Sequence, residues 1–312
     1  MKTKKTKLFW GLLLVLAWLV MPASALAISL VEAEWLQENL GAKNLRIVDV
    51  SNKPDTYAKG HIPGAVPVKR YLDLSGYNPA TPGLNLYPSQ AEFEQLMGRL
   101  GITPATTVVA YDDSPGFFAA RLLVIMELYG HDTSKLKLLN GGSKYWAQAG
   151  FPMVTESPQP QKTAYRAKKN YFGERTVTWS QVYTDVVRGG KPELVLVDVR
   201  PGAEYQAENI RAIRGGHIPK AINVTGGNAV GPDMRFKPLE EIRQMFVEAG
   251  VTPDKEIYEY CHSGDRSAHA YFILHHLLGY QSVKSYYGSW TEWARNTALP
   301  AEGQVWLWEA RK

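Results

Sequence analysis

The sequence predicts an α/β protein of two tandem units, each a parallel sheet covered by helices on both faces. Two observations carry that prediction. Apolar runs such as residues 194–199 lack the polar alternation of a half-exposed strand, and segments of helical spacing such as 239–249 and 268–278 separate them. Strands buried on both faces and separated by helices belong to a parallel sheet, whose neighbours can be joined only by crossovers. The second observation is that this order of segments is written twice.

In chain order, residues 1–27 read as an export signal. Lys2, Lys4, Lys5 and Lys7 form a basic start, 8–21 an apolar core, and Ala25-Leu26-Ala27 a small-residue cleavage site, with the cut expected after Ala27. The apolar run is shorter than the roughly 20 residues of a membrane span. With no cysteine at the cut, a lipid anchor is not supported, and the mature chain is expected in the periplasm or outside the cell. The segment carries four lysines and no acid, so its removal takes the formal charge from +5 to +1. That balance gives no reason to expect a nucleic-acid or acidic membrane partner. A single cysteine can form no internal disulfide, so the fold must rest on packing.

The remainder, about 285 residues, is the size of two domains, each large enough for its own core. Residues 45–50 (LRIVDV) are echoed by 194–199 (LVLVDV), and Gly60-His61-Ile62-Pro63 by Gly216-His217-Ile218-Pro219. Gly101-Ile102-Thr103-Pro104 matches Gly250-Val251-Thr252-Pro253, Tyr111-Asp112 matches Tyr260-Cys261, and 142–146 matches 288–293 loosely. The repeat divides the chain into units 28–155 and 173–312. The polar stretch 156–172, with Ser157-Pro158-Gln159-Pro160, is the expected linker. Tryptophans, including the alternating Val305-Trp306-Leu307-Trp308 tail, are read as packing.

Cys261 stands where a strand ending at Tyr260 meets the next helix, whose Ala270, Ile273, Leu274, Leu277 and Leu278 recur at helical spacing. The turn 261–267 is therefore a natural anion cup, because the first amides of a helix lack intrahelical partners and the dipole is positive there. With the Arg266 guanidinium five residues on, the thiol is expected to ionise well below the roughly 8.5 of free cysteine and to act as a nucleophile. A core cysteine would sit on an apolar face, whereas this one opens the polar run His262-Ser263-Gly264-Asp265-Arg266-Ser267. In open parallel sheets, ligands bind beyond the carboxyl ends of strands, where Cys261 sits.

Asp198, Arg200, Glu204, Tyr205, Gly216 to Pro219, the cysteine loop and Gly288 to Trp293, with Asp49, Gly60 to Pro63 and Gly141 to Trp146 in the first unit, resemble the rhodanese superfamily in its tandem two-domain form. The resemblance implies a sulfurtransferase related to thiosulfate sulfurtransferases, working without metal or organic cofactor. Cys261 would attack the sulfane sulfur of thiosulfate, release sulfite, and hand the persulfide sulfur to a thiophilic acceptor such as cyanide, a thiol or a thiol protein. Asp112 replaces the cysteine in the first unit, which is then catalytically silent and forms the other wall of an interdomain cleft, with Phe117 and Phe118 placed toward the site.

Within the loop, Arg266 is the candidate for neutralising the anionic donor. His262, Ser263 and Ser267 either donate to the anion or satisfy the turn, and Gly264 serves backbone shape. Asp198 and Arg200 are expected to support the strand end and loop. Asp265 is unhelpful beside an anion unless it turns outward or pairs with Arg266. Glu204 stands where mercaptopyruvate-using relatives tend to carry a carboxylate-binding arginine, a role that Arg211 or Arg214 would then have to fill.

Readings from other classes are a cysteine phosphatase or arsenate reductase, a persulfide-binding module without turnover, and a metal site. The phosphatase loop has five residues between cysteine and arginine, but only His262 to Asp265 intervene here, a cup sized for one sulfur. Adjacent His275 and His276 cannot both face the loop and read as helical surface residues, with His269 possible at the loop.

Overall fold

A computed structural model of the protein describes residues 27–76 and 84–310. Of the export signal expected over 1–27, residues 1–26 lie outside the described residues. Among the described residues, no helix is long and apolar enough to cross a membrane.

The first unit holds five parallel strands, β1 (Ser29–Val31), β2 (Leu45–Asp49), β3 (Val66–Pro67), β4 (Thr107–Tyr111) and β5 (Leu136–Leu139), in the order β1-β5-β4-β2-β3. The second holds β6 (Leu194–Asp198), β7 (Ile222–Asn223), β8 (Glu256–Tyr260) and β9 (Val283–Ser285) in the order β7-β6-β8-β9. A parallel bridge from Thr176 to Ser285 occupies the edge that β1 fills in the first unit. The register repeats as well. Asp49 pairs with Tyr111 and Asp198 with Tyr260, so Asp112 and Cys261 leave their sheets at the same point.

The duplicated Gly-His-Ile-Pro motif locks each sheet end. His61 stacks on Tyr57 at 3.7 Å and His217 on Tyr205 at 3.6 Å, while each tyrosine hydroxyl donates to a backbone carbonyl, Tyr57 to Ala65 and Tyr205 to Ala221. The Ile62 and Ile218 amides donate to the hydroxyls of Tyr111 and Tyr260, both at 3.1 Å. Each motif thereby pins the loop after one strand to the end of its neighbour, and the neighbour carries residue 112 or 261.

Contrary to the expectation of two separate cores, the units share one. The helix Phe117–Leu128 is buried on every side from Phe118 onward and packs against Asp265–Tyr271, whose continuation Phe272–Leu277 opens to π geometry. Leu122, Leu123 and Met126 lie in the same apolar cluster as Ala268, Phe272 and Cys261. Separate clusters line the outer faces, one around Trp290 and Trp293, the other around Trp146. The connecting stretch is also packed rather than loose. Tyr165 is buried and bonded to His131, and the Thr163 amide donates to Gly98. Of the tail tryptophans, Trp306 is half-buried, but Trp308 is 57% exposed, so the alternation there does not bury it.

At the end of β6, Asp198 holds Arg200 through both oxygens, at 2.6 Å for the shortest contact, and the guanidinium also donates to the Gly216 carbonyl and lies over Trp290. Burial works against the charged guanidinium, and Asp198 more than reverses it. Removing one partner of a buried pair strands the other. Arg200→Ala should therefore lower unfolding stability by about 3–5 kcal/mol in a urea titration, well beyond the loss from truncating an exposed arginine.

Candidate active site

Cys261 is 1% exposed and is set by a second loop behind it. Its amide donates to the Ser289 hydroxyl at 3.2 Å, its carbonyl accepts from the Trp290 amide, and the His262 carbonyl accepts from the amide and hydroxyl of Thr291. Ser289 takes a left-handed φ of 56°, a conformation costing roughly 1–2 kcal/mol for a residue with a side chain. Its hydroxyl also bonds the Tyr286 carbonyl, so three bonds or contacts of one side chain hold the strain in place. The equivalent position is Gly142, since Ser143 donates to Asp112 as Trp290 does to Cys261; the loose sequence match is resolved one residue over.

Gly264 turns the chain into the helix. Its φ of 92° suits glycine, and an added Cβ would stand 2.5 Å from Arg121 Nη1 and 2.9 Å from the Tyr287 carbonyl. Its amide donates to Cys261 Sγ at 3.2 Å. Beyond it, the amides of Asp265, Arg266 and Ser267 form the first turn, where no intrahelical acceptor exists. The Ser267 hydroxyl is buried there without a protein partner.

The first unit shows what such a cup holds. Asp112 accepts from the Ser114 and Gly116 amides through Oδ1, at 2.8 and 3.1 Å, and from the Phe118 and Ala119 amides through Oδ2, at 2.8 and 3.0 Å. Burial pushes this carboxyl up to about 6, with the amides pulling it down. Gly116 has the same φ of 92° as Gly264, so counting from these glycines Phe118 and Ala119 correspond to Arg266 and Ser267. An aspartate oxygen lies two bonds beyond Cβ, as does the outer sulfur of a cysteine persulfide. The first unit thus carries its own anion in the cup. The second, with a shorter side chain, gives Sγ one loop amide within bonding distance.

The charged loop residues take partners other than those expected. Arg266 binds Glu204 through both nitrogens, at 2.8 and 3.0 Å, and Arg211 joins at 3.1 Å. Burial works against the Arg266 guanidinium, but Glu204, and after it Cys261, hold its proton affinity above the ordinary value. It therefore lies in the field of the sulfur while its donors are committed to Glu204. Asp265 neither turns outward nor pairs with Arg266. It reaches across to the first unit, where Arg70 grips both its oxygens and Arg121 stands at 3.8 Å. The Ser263 hydroxyl bonds Asp265 rather than the sulfur, and the Ser263 carbonyl accepts from Asn85 and Arg121.

His262 is half-buried, and burial with the nearby Arg211 lowers it to about 4, so it is neutral at pH 7. Arg214 is spent on the carbonyls of Trp293, Ala294 and Asn296 and is not available to a substrate. Phe117 packs on His269 at 5.0 Å, and Phe118 lies 4.1 Å beneath Arg70, so both line the seam between the units. His275 and His276 are half-buried rather than open surface residues, and His276 bonds the buried Glu127 of the first unit. Arg70, Arg121 and Asn85 went unrecognised in the sequence because their partners lie 178 or 195 residues away or are backbone carbonyls. A cavity of about 470 Å³ opens beside Arg70, with Lys53 and Lys69 in its wall.

The Rhodanese-like domain family matches residues 32–149 and again 186–296. The chain belongs to the rhodanese family. Among rhodanese relatives it is 36% identical over 284 residues to "Sulfur carrier protein TtuD" of Thermus thermophilus, covering 88% of this chain and 97% of that one. It is 34% identical over 281 residues to a protein of Saccharopolyspora erythraea named "Putative thiosulfate sulfurtransferase", covering 88% and 95%. Escherichia coli SseA, whose structure is described as a rhodanese fold of 3-mercaptopyruvate sulfotransferases, superposes with a TM-score of 0.74 at 27% identity, covering 85% of this chain and 99% of that one.

The Arg70–Asp265 pair makes this rhodanese loop depend on both units. Arg70→Ala should cost about 3–5 kcal/mol in urea unfolding, and adding Asp265→Asn should recover part of it by removing the stranded charge. A loss below about 1 kcal/mol would show the pair to be inconsequential.

Proposed function

We propose that the protein is a sulfurtransferase that moves the sulfane sulfur of thiosulfate through a Cys261 persulfide to a thiophilic acceptor, and that it works after export, in the periplasm or outside the cell. The Cys261 thiolate attacks the outer sulfur of thiosulfate. The S–S bond breaks, its electron pair leaves with sulfite, and the persulfide carries the single negative charge that the thiolate brought. The acceptor then attacks the outer sulfur and the thiolate is restored; with cyanide the product is thiocyanate.

The observation that carries the reading is the cup itself. Asp112 shows that an anion two bonds beyond Cβ is held by the second and third amides of the first helical turn. In this reading the matching amides, of Arg266 and Ser267 in the first turn, hold the outer sulfur, with the buried Ser267 hydroxyl as a further donor. Preorganised donors of this kind stabilise charge where it develops. Arg266 contributes through its field, and Glu204 fixes its position. Gly264 shapes the turn, while His262, Ser263 and Asp265 hold the loop by their backbone and cross-unit bonds. Asp198 and Arg200 support the strand end. With Cys261 only 1% exposed, the donor reaches Sγ when the covering groups part.

Mercaptopyruvate would need a free cation for its carboxylate. Arg266 is paired and Arg214 is committed to carbonyls, which leaves Arg211, itself shared with Glu204. The name of the Thermus relative supports a carrier role, in which a protein thiol takes the sulfur.

Thiocyanate formation should occur with thiosulfate as donor and fall by at least roughly 10³-fold in Cys261→Ser. Preference for mercaptopyruvate would shift donor recognition to Arg211. No turnover with either donor, and no mass gain of one sulfur on Cys261, would contradict the sulfurtransferase reading.

A further inference from the structure

We infer that the chain is cut between Ala27 and Ile28 and that the α-ammonium group so created is held by His276 and Glu127, at the seam between the two units. This goes beyond the sulfur chemistry and rests on the proposal of export.

Ile28 is the first residue after the expected cut, and it is not a loose end. Its side chain is 1% exposed in the shared core, and its backbone nitrogen lies 3.2 Å from His276 Nδ1. His276 Nε2 lies 2.9 Å from Glu127 Oε2, and the Tyr271 hydroxyl donates to Glu127 Oε1 at 3.3 Å. An amide nitrogen can only donate. Nδ1 therefore keeps its lone pair, Nε2 carries the proton given to Glu127, and the ring is uncharged while residue 28 remains an amide.

Glu127 is 6% exposed, and burial alone would raise its carboxyl, yet the His276 bond, with His275 and Arg175 nearby, holds it below the ordinary value. Its hydrogen-bond partners are the His276 ring and the Tyr271 hydroxyl, Arg175 acts only at longer range, and His275 spends Nδ1 on the Tyr280 carbonyl. A buried carboxylate without a close cation is costly. Hydrolysis of the Ala27–Ile28 bond supplies one. Water's hydroxyl goes to the Ala27 carbonyl and its hydrogen to the Ile28 nitrogen, and at neutral pH the new amine takes up a further proton. The positive charge appears on the nitrogen already bonded to Nδ1, one imidazole away from Glu127.

The proposal also distinguishes two cleavage sites. Ala23-Ser24-Ala25 offers the same small-residue pattern and would leave a chain beginning at Leu26. Residue 28 would then stay an uncharged amide. Because Ile28 is buried in the folded protein, the bond must be cut before folding, by the endopeptidase of the export machinery acting on the extended chain. Glu127 and Ile28 belong to the first unit and His276 to the second, so the charge closes a link between the units at the far end of the helix that begins beside Cys261.

The test begins with the full chain expressed in a host with a periplasm and the intact mass of the exported protein. A product of residues 28–312 is expected. A cut at any other bond overturns the inference and leaves export standing, whereas an uncut chain overturns export and this inference with it. The 28–312 protein is then treated with an amine-acylating reagent, and the α-amine should react at least roughly tenfold more slowly than in the unfolded chain. Equal rates would overturn the proposal. A variant with one glycine inserted before Ile28 should melt roughly 3 °C or more lower.

The pH profile separates charge from packing. The groups facing the amine are His276 and, behind it, Glu127, Tyr271, His275 and Arg175. A held ammonium has its pKa raised above the unfolded value of roughly 7.7–8.0, so its stabilisation is complete below that value and lost as pH rises through the folded one. The glycine variant and Glu127→Gln should lack that alkaline loss. An identical profile in all three proteins would overturn the assignment.

Discussion

The first-turn amides of a helix that follows a buried strand point at one spot, and an acceptor placed there, best of all an anion, satisfies them. This chain meets that requirement in two ways on two copies of one fold. In the first unit the Asp112 carboxylate fills the spot, accepting from four loop and helix amides. In the second, the Cys261 side chain is one atom shorter, and Sγ accepts from the Gly264 amide with the Ser289 hydroxyl at 3.9 Å. In the proposed mechanism the outer sulfur of the persulfide completes the arrangement.

The first unit is not a bystander. Arg70, Asn85 and Arg121 reach from it to Ser263 and Asp265, so the cysteine loop is held from both sides of the seam. An arginine within the loop itself is tied to Glu204, and the cation nearest the loop's acid comes from the other unit. A carboxylate that looks wrongly placed beside an anionic site is thereby neutralised by a partner that fixes the loop. The shared core has the same consequence on a larger scale, since the helix bearing the cysteine loop buries its flank against Phe117–Leu128.

Much of the fold was legible because it rests on local patterns. The runs 45–50 and 194–199 announce buried parallel strands, and Gly264 announces a turn that only a residue without Cβ can make beside Arg121. Cys261 was legible from its position between strand and helix. The partners of Asp265 and Arg266 were not, because they arrive from 195 and 62 residues away and no spacing rule connects them. His275 and His276 were misplaced for the same reason: a helix face that looks polar and outward within one unit bonds Glu127 of the other. Glu259 is a further case. It sits fully buried two residues before the cysteine, and burial raises its carboxyl well above the ordinary range, with Ser285 pulling it down.

The central claim is that the amides of Arg266 and Ser267 take up the outer sulfur. It is tested most directly by amide proton chemical shifts of 15N-labelled protein before and after persulfidation of Cys261 with thiosulfate. The account predicts marked downfield movement of the Arg266 and Ser267 amides, as expected for new hydrogen bonds to an anion, with the Phe118 and Ala119 amides unmoved because Asp112 already holds them. Persulfidation that leaves Arg266 and Ser267 unshifted would contradict it.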